Sequence, residues 1–387
     1  MPPTSRSRKI VIIGAGIVGI SIAYFLAREG ISATIIDAEG PSAGATGASD
    51  GAVSVASKQP GLMMSLAQKA RALYEQMASE GTLARQYKSR PTFLIGRTPE
   101  EIDILDEHAR DLESVGEQIT ILDRSRLRSL VSGVGEGAFG GVMVSRDGHA
   151  LGYQVTERLL ALSGAKPNRN LAVTGVLLSD SRATGVATAA GNIEADVVIV
   201  AAGLGSASLA RLGNALFPRK GQLVITDRGD LGQSALAGHL MTAGYIAAKR
   251  SAAKPAPSPI GLVIDPLVTG QYLIGGTRED NRRDRGTDAA TIAAILREAV
   301  ALYPSLRARR VIRTFSGVRT ASRDGLPIIG FHPAIQNLLI ATGFEGDGIC
   351  LGPMIGKIIA NLVRGLPAGT DISALAPGRL LAQASAA

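Results

Sequence analysis

Gly14, Gly16 and Gly19 follow an apolar run, Ile10-Val11-Ile12-Ile13, in G-x-G-x-x-G spacing, and Asp37 closes a second run, Ala33-Thr34-Ile35-Ile36. Glycines so placed let a chain turn tightly out of a strand, bring its backbone close to a pyrophosphate, and pack the next helix on the sheet. A helix starting there, with Ile17 and Val18 in its first turn, aims unpaired N–H groups and its positive dipole end at an anion. A carboxylate about 20 residues further on accepts from an adenosine ribose hydroxyl and disfavours a 2′-phosphate. Asp37, with Ala38 beside it, fits that role, so the chemistry is dinucleotide binding, with NAD and FAD equally served.

These residues need a βαβ frame. The stretch from Ile17 to Glu29 is helical in pattern and ends at Gly30, a residue suited to the left-handed position after a helix. Glycines that merely shape a turn are the plainer alternative, and the strand before and helix after argue against it. Arg6, Arg8 and Lys9 ahead of an apolar stretch also resemble a signal peptide, but three glycines in that stretch and the strand and acid beyond it argue for a folded unit.

Two further strand-to-glycine junctions recur. Ala195 to Val200 reads as a buried parallel strand turning out at Ala201-Ala202-Gly203, and Leu338 to Thr342 runs into Gly343-Phe344-Glu345-Gly346-Asp347-Gly348, with a helix from Leu351 to Arg364. Three junctions at the beginning, middle and end of the chain imply one nucleotide site assembled from all of them. The small-residue loop from Gly40 to Ala52 suits a backbone cradle for phosphate or a flat ring, or else a flexible connector.

The chain has 387 residues, long for one domain, with net charge +8 and a single cysteine, Cys350. One cysteine permits no internal disulfide and cannot ligate an iron–sulfur cluster, which takes about four thiolates; the cytoplasm is the expected compartment. No apolar run reaches transmembrane length. The basic residues are scattered, and the densest run, Arg278 to Arg285, is broken by Glu279, Asp280 and Asp284. That pattern, without nucleic-acid motifs, reads as a solvated surface, with attraction of an anionic substrate or acidic partner as a second use.

Between the junctions, helices are expected at 62–77, 99–113, 152–162 and 289–302, and a strand at 171–178 that brings in Val173. Strands at Gly221 to Thr226, Met241 to Ala247, Gly261 to Ile264 and Tyr272 to Thr277 suggest an antiparallel sheet, with a loop from Ala252 to Pro259.

This distribution resembles the D-amino-acid oxidase-like family of FAD-dependent amine oxidoreductases over essentially the whole chain. The strongest pieces are Ala201-Ala202-Gly203, the Gly343 to Gly348 loop, and Gly317-Val318-Arg319-Thr320-Ala321-Ser322-Arg323-Asp324-Gly325-Leu326-Pro327-Ile328-Ile329-Gly330, similar to G-x-R-P-x-x-x-D-G-x-P-x-I-G with Thr320 for the proline. The resemblance implies an α/β (α+β overall) fold. A Rossmann-like FAD-binding domain would come from 1–88, 142–216 and 312–387, and an antiparallel-sheet substrate domain from 89–141 and 217–311.

It also implies non-covalent FAD, wrapped by Gly44, Ala45, Thr46, Gly47, Ala48 and Ser49, with Gly317 and the Gly343, Gly346, Asp347, Gly348 and Ile349 segment at the flavin. Arg319 would bind a substrate carboxylate, for which a guanidinium fork is independently suited. Tyr245 resembles the strand tyrosine that assists it. His149 and His239 are candidate edge residues, each with a plain structural role as the alternative. The expected reaction is hydride transfer from the carbon bearing an amine to the flavin, giving an imine that hydrolyses to an oxo acid.

Within the family, Gly47-Ala48-Ser49-Asp50-Gly51 and Gly343 to Cys350 look most like the catalytic subunits of hetero-oligomeric opine (octopine or nopaline) oxidases and D-hydroxyproline dehydrogenases. That implies a partner subunit taking electrons, with FMN and an iron–sulfur cluster in it or at the interface. A stand-alone glycine, sarcosine or D-amino-acid enzyme is the rival, and a non-catalytic flavin- or NAD-binding subunit the alternative from another class. Neither nucleic acid nor a metal is expected.

Overall fold

Short β-branched runs without a polar side form the middle of a five-stranded sheet ordered Ile328–Phe331, Leu338–Thr342, Val197–Val200, Ile10–Ile13, Thr34–Ile36. All its pairs are parallel except the first, and the strands Ile10–Ile13 and Val197–Val200 are buried throughout, as strands covered on both faces must be. The computed structural model describes residues 8–229, 236–250 and 260–380, so the loop expected from Ala252 to Pro259 lies outside the described residues.

The three glycine junctions leave the C-terminal ends of neighbouring strands: Ile10–Ile13, Val197–Val200 and Leu338–Thr342. Their loops therefore meet at one edge, where open α/β sheets bind ligands. Behind them the helices Ile17–Arg28 and Gly348–Val363 pack closely, because Gly352 and Gly356 bring the second within 3.0 Å of Ile17 and 2.5 Å of Ser21 as measured from a hypothetical Cβ. The last helix begins at Gly348, three residues before the expected Leu351. Pro353 lies inside it and cannot donate to the Ile349 carbonyl; the Tyr74 hydroxyl donates to that oxygen instead, at 2.8 Å.

The second sheet has nine strands drawn from 92–144 and 216–322. Near one end of it runs the long strand Leu216–Thr226, paired along its length with Val311–Ser322 and, toward its end, with Tyr272–Thr277. Arg319 thus stands on this sheet. The expected antiparallel pairing holds except where His239–Thr242 runs parallel to Thr92–Gly96.

The expected strand from Met241 to Ala247 is corrected. Only His239–Thr242 is strand; Ala243–Arg250 is a helix, so Tyr245 is a helical residue. A short apolar run does not distinguish the two, and the alanines of Ala243-Gly244-Tyr245-Ile246-Ala247 favour the helix. Among the described residues no helix is long and apolar enough to cross a membrane.

Candidate active site

A cleft of about 460 Å³ opens at the meeting edge of the parallel strands. Of the residues expected there, Gly14, Gly16, Ile17, Val18, Asp37, Ala38, Gly44, Ala45, Thr46, Val173, Ala202, Gly203, Gly343 and Gly348 line it. Asp37 is held rigidly on its wall: one carboxylate oxygen accepts from Ala15 N at 2.7 Å and the other from Glu39 N and Gly40 N at 2.8 and 2.7 Å. Thr46 Oγ1 accepts from Ile17 N at 3.1 Å, tying the small-residue loop to the first turn of the fingerprint helix.

The cleft continues into a smaller chamber of about 130 Å³, since Ile17, Ala45, Thr46, Glu345 and Gly348 line both. Ala48, Ser49, Gly317, Gly346, Asp347 and Ile349 line the chamber, as do Arg319, Tyr245 and His239. Gly19, Gly47 and His149 line neither space. Gly19 and Gly47 instead allow close approach of backbone, since a Cβ would lie 2.0 Å from the Gly14 carbonyl oxygen and 2.3 Å from that of Ser42.

Arg319 lies flat on the sheet over Gly221, where an added Cβ would meet its guanidinium nitrogens at 2.8 and 3.0 Å. Its Nη1 donates to the Thr277 carbonyl at 3.1 Å, and among the described residues no carboxylate pairs with it. Arg278 at the same chamber is paired, with Glu345 at 3.2 Å. Tyr245 reaches the chamber from its helix by covering Gly261, which has no side chain to keep the ring away.

Two charged features escaped sequence reasoning. Lys58 and Asp347, 289 residues apart, form an ion pair in the chamber wall. Burial disfavours the Lys58 charge, yet the Asp347 carboxylate more than restores it and holds the ammonium above the ordinary lysine range. Nearby Cys350 is buried, and burial pushes its thiol up to about 12, so it stays a neutral core residue.

The other is Asp265, buried between both candidate histidines and Arg90. Burial works against its charge, but His239, His149 and Arg90 together hold the carboxyl far below the ordinary carboxylate range. Arg90 Nε donates to His239 Nε2 at 3.1 Å, so that nitrogen is the acceptor, and the Nδ1 hydrogen meets Asp265 at 3.0 Å. His149 Nε2 lies 2.9 Å from the Asp50 carbonyl oxygen and 3.1 Å from Asp265, two acceptors. Gly51 permits this approach, because a Cβ there would stand 2.7 Å from His149 Nε2. The signal for Gly221 and Gly261 was in the sequence, since a glycine inside a strand marks a close approach.

Residues 9–362 match the family model described as FAD dependent oxidoreductase. The chain belongs to this FAD-dependent oxidoreductase family. It is 26% identical to the glycine oxidase of Geobacillus kaustophilus, over 94% of this chain and 95% of that protein. It is 27% identical to the hydrogen cyanide synthase subunit HcnC of Pseudomonas aeruginosa, over 93% of each. The crystal structure of the Geobacillus kaustophilus glycine oxidase superposes with a TM-score of 0.84 at 24% identity, covering 95% of this chain and 98% of that one, which gives the same fold.

The residues present fit FAD. Gly44 and Gly346 turn bare backbone to open space, where an added Cβ would meet nothing within 4 Å. The cleft carries the diphosphate-type helix start and the fixed carboxylate of Asp37, and it leads into a second chamber beyond the Gly343 to Gly348 loop, as an extended dinucleotide requires.

Proposed function

We propose that this protein oxidises the C–N bond of a small amino acid or secondary amine bearing a carboxylate, giving an imine that water converts to a 2-oxo acid. The observation that carries this reading is Arg319, a chamber guanidinium without a carboxylate partner among the described residues. FAD, when bound, supplies the hydride acceptor.

The chain's own residues do the positioning. Arg319, steadied by the Thr277 carbonyl, takes the substrate carboxylate as a bidentate fork, and Tyr245 closes the same chamber from the helix Ala243–Arg250. Leu223, Met241 and Val263 give apolar walls that keep water from the reacting carbon. His239 has both nitrogens committed, so it serves as a fixed wall, and His149 acts one layer behind by holding Asp50 and Asp265 in place. Gly14, Gly16, Asp37, Thr46, Gly203 and the Gly343 to Gly348 loop hold the cofactor. Asp347, at the start of the last helix, keeps Lys58 charged in the chamber wall, an electrostatic support for negative charge on a reduced ring.

A stand-alone oxidase acting on glycine, sarcosine or a similar amine is supported by the glycine oxidase relatives. The second reading, a catalytic subunit acting on opines or D-hydroxyproline and passing electrons to a partner with FMN and an iron–sulfur centre, is favoured by the likeness to HcnC, itself named a subunit. Anaerobic flavin bleaching with glycine, sarcosine, iminodiacetate, D-amino acids, D-hydroxyproline and opines tests the common claim, and reduction by none of them sinks it. Reoxidation then separates the two readings: fast peroxide formation supports the oxidase, and slow reoxidation by oxygen with rapid turnover on an artificial acceptor supports the subunit.

A further inference from the structure

The basic run Arg278 to Arg285 is not simply a solvated surface. Residues 280–288 are fastened to the strand Leu216–Thr226 at four places. Arg219 forks Asp280 at 2.5 and 2.9 Å, and Asn281 N donates to the Pro218 carbonyl at 2.8 Å. The buried Lys220 ammonium meets Asp284 at 2.5 Å, and Asp288 N donates to Gln222 Oε1 at 2.9 Å.

The third attachment matters most. Asp284 stands between Arg283 and Arg285, and while its carboxylate is drawn to Lys220 both arginines line the cofactor cleft. Arg285 crosses to Glu39, 246 residues away, with two hydrogen bonds of 2.9 and 3.0 Å. Glu39 is on the same wall as Asp37, the carboxylate that marks the adenosine end. Arg283 pairs with no carboxylate among the described residues, because its neighbour Asp284 is taken by Lys220 and Arg282.

We propose that residues 280–288 form a clasp that retains the cofactor: Arg285 and Glu39 close the adenosine end of the cleft, and Arg283 offers its guanidinium to the diphosphate. A guanidinium suits a phosphate because its planar donors match two oxygens at once. The clasp links the second sheet to the cofactor cleft through exposed charges, so it loosens as salt rises.

The test is the rate at which FAD leaves the holoenzyme, followed by the rise of free-flavin fluorescence after dilution. Glu39→Gln and Arg285→Gln should each release FAD about fivefold faster at low salt, the scale of an exposed bidentate pair. The double variant should be no faster than either single, and the reversed pair, Glu39→Arg with Arg285→Glu, should regain slow release. Arg283→Gln should speed release by roughly three- to tenfold on top of these changes, with a weaker salt dependence than the parent. The clasp is overturned if the Glu39 and Arg285 single variants release FAD at the parental rate, or if the reversed pair stays as fast as the singles. The role of Arg283 is overturned if its variant keeps the parental rate and salt dependence. Rescue by reversal also separates a lost contact from a misfolded surface.

Discussion

Gly221→Ala tests the placement of Arg319 without removing its charge. The new Cβ would stand 2.8 Å from Nη2 and 3.0 Å from Nη1, where ordinary contact begins at 3.4 Å, so the guanidinium must retreat by 0.6 Å, the difference of the first pair. The obstacle is the far end of a flexible side chain, so the fold yields easily. The fork then leaves its 3.1 Å bond to the Thr277 carbonyl and tilts from the carboxylate. Hydrogen bonds to charged groups are worth about 1.5–3 kcal/mol each, so degrading one of the two raises KM roughly tenfold to a hundredfold. Stability should rise or stay within about 1 kcal/mol, because alanine suits a strand better than glycine. The assay is steady-state turnover with the reducing substrate, beside thermal melting. A KM within twofold of the parent would show that Gly221 does not seat the Arg319 guanidinium.

Three further outcomes follow from the same geometry. Asp265→Asn leaves Arg90 buried without its carboxylate and should destabilise the fold by about 3–5 kcal/mol in denaturant melts. Because the Asp265 carboxyl is depressed from its ordinary 3.8, its stabilisation is full above that pH and is lost as pH falls toward the folded value, so the deficit of Asp265→Asn should shrink only below about pH 4. Tyr74→Phe strips the buried Ile349 carbonyl of its hydroxyl donor and should cost about 1–3 kcal/mol; in a Pro353→Ala background, which restores the backbone donor, the cost should fall by half or more. Gly51→Ala, at φ +87° and 2.7 Å from His149 Nε2, should lower the melting temperature and weaken binding in the chamber together, and a change in neither would remove His149 from the chamber's support.

The cofactor cleft was legible because its signals are local. Glycines leaving apolar strands show both the element and the reason for it, and the three junctions at Gly14, Gly203 and Gly343 fall side by side because strand order obeys few topologies. The chamber was less legible because its contacts are long-range. Nothing near Lys58 points to Asp347, and nothing near Asp265 points to His149. Tyr245 reads as a strand residue because a short run of mixed apolar character fits either period, and the alanines around it are the local signal that favours the helix Ala243–Arg250. The basic run at 278–285 looked solvated because alternating charges resemble any polar surface until Lys220 is seen to take Asp284.

The most direct measurement of the central claim is anaerobic reduction of the bound flavin by paired compounds, a carboxylate-bearing amine and its decarboxylated counterpart, in the parent and in Arg319→Met. Rapid reduction is expected from the carboxylate-bearing member alone, with a loss of about a hundredfold or more in its second-order rate when the fork is removed. Equal reduction by both members of the pair, or an Arg319→Met enzyme as fast as the parent, would contradict that claim.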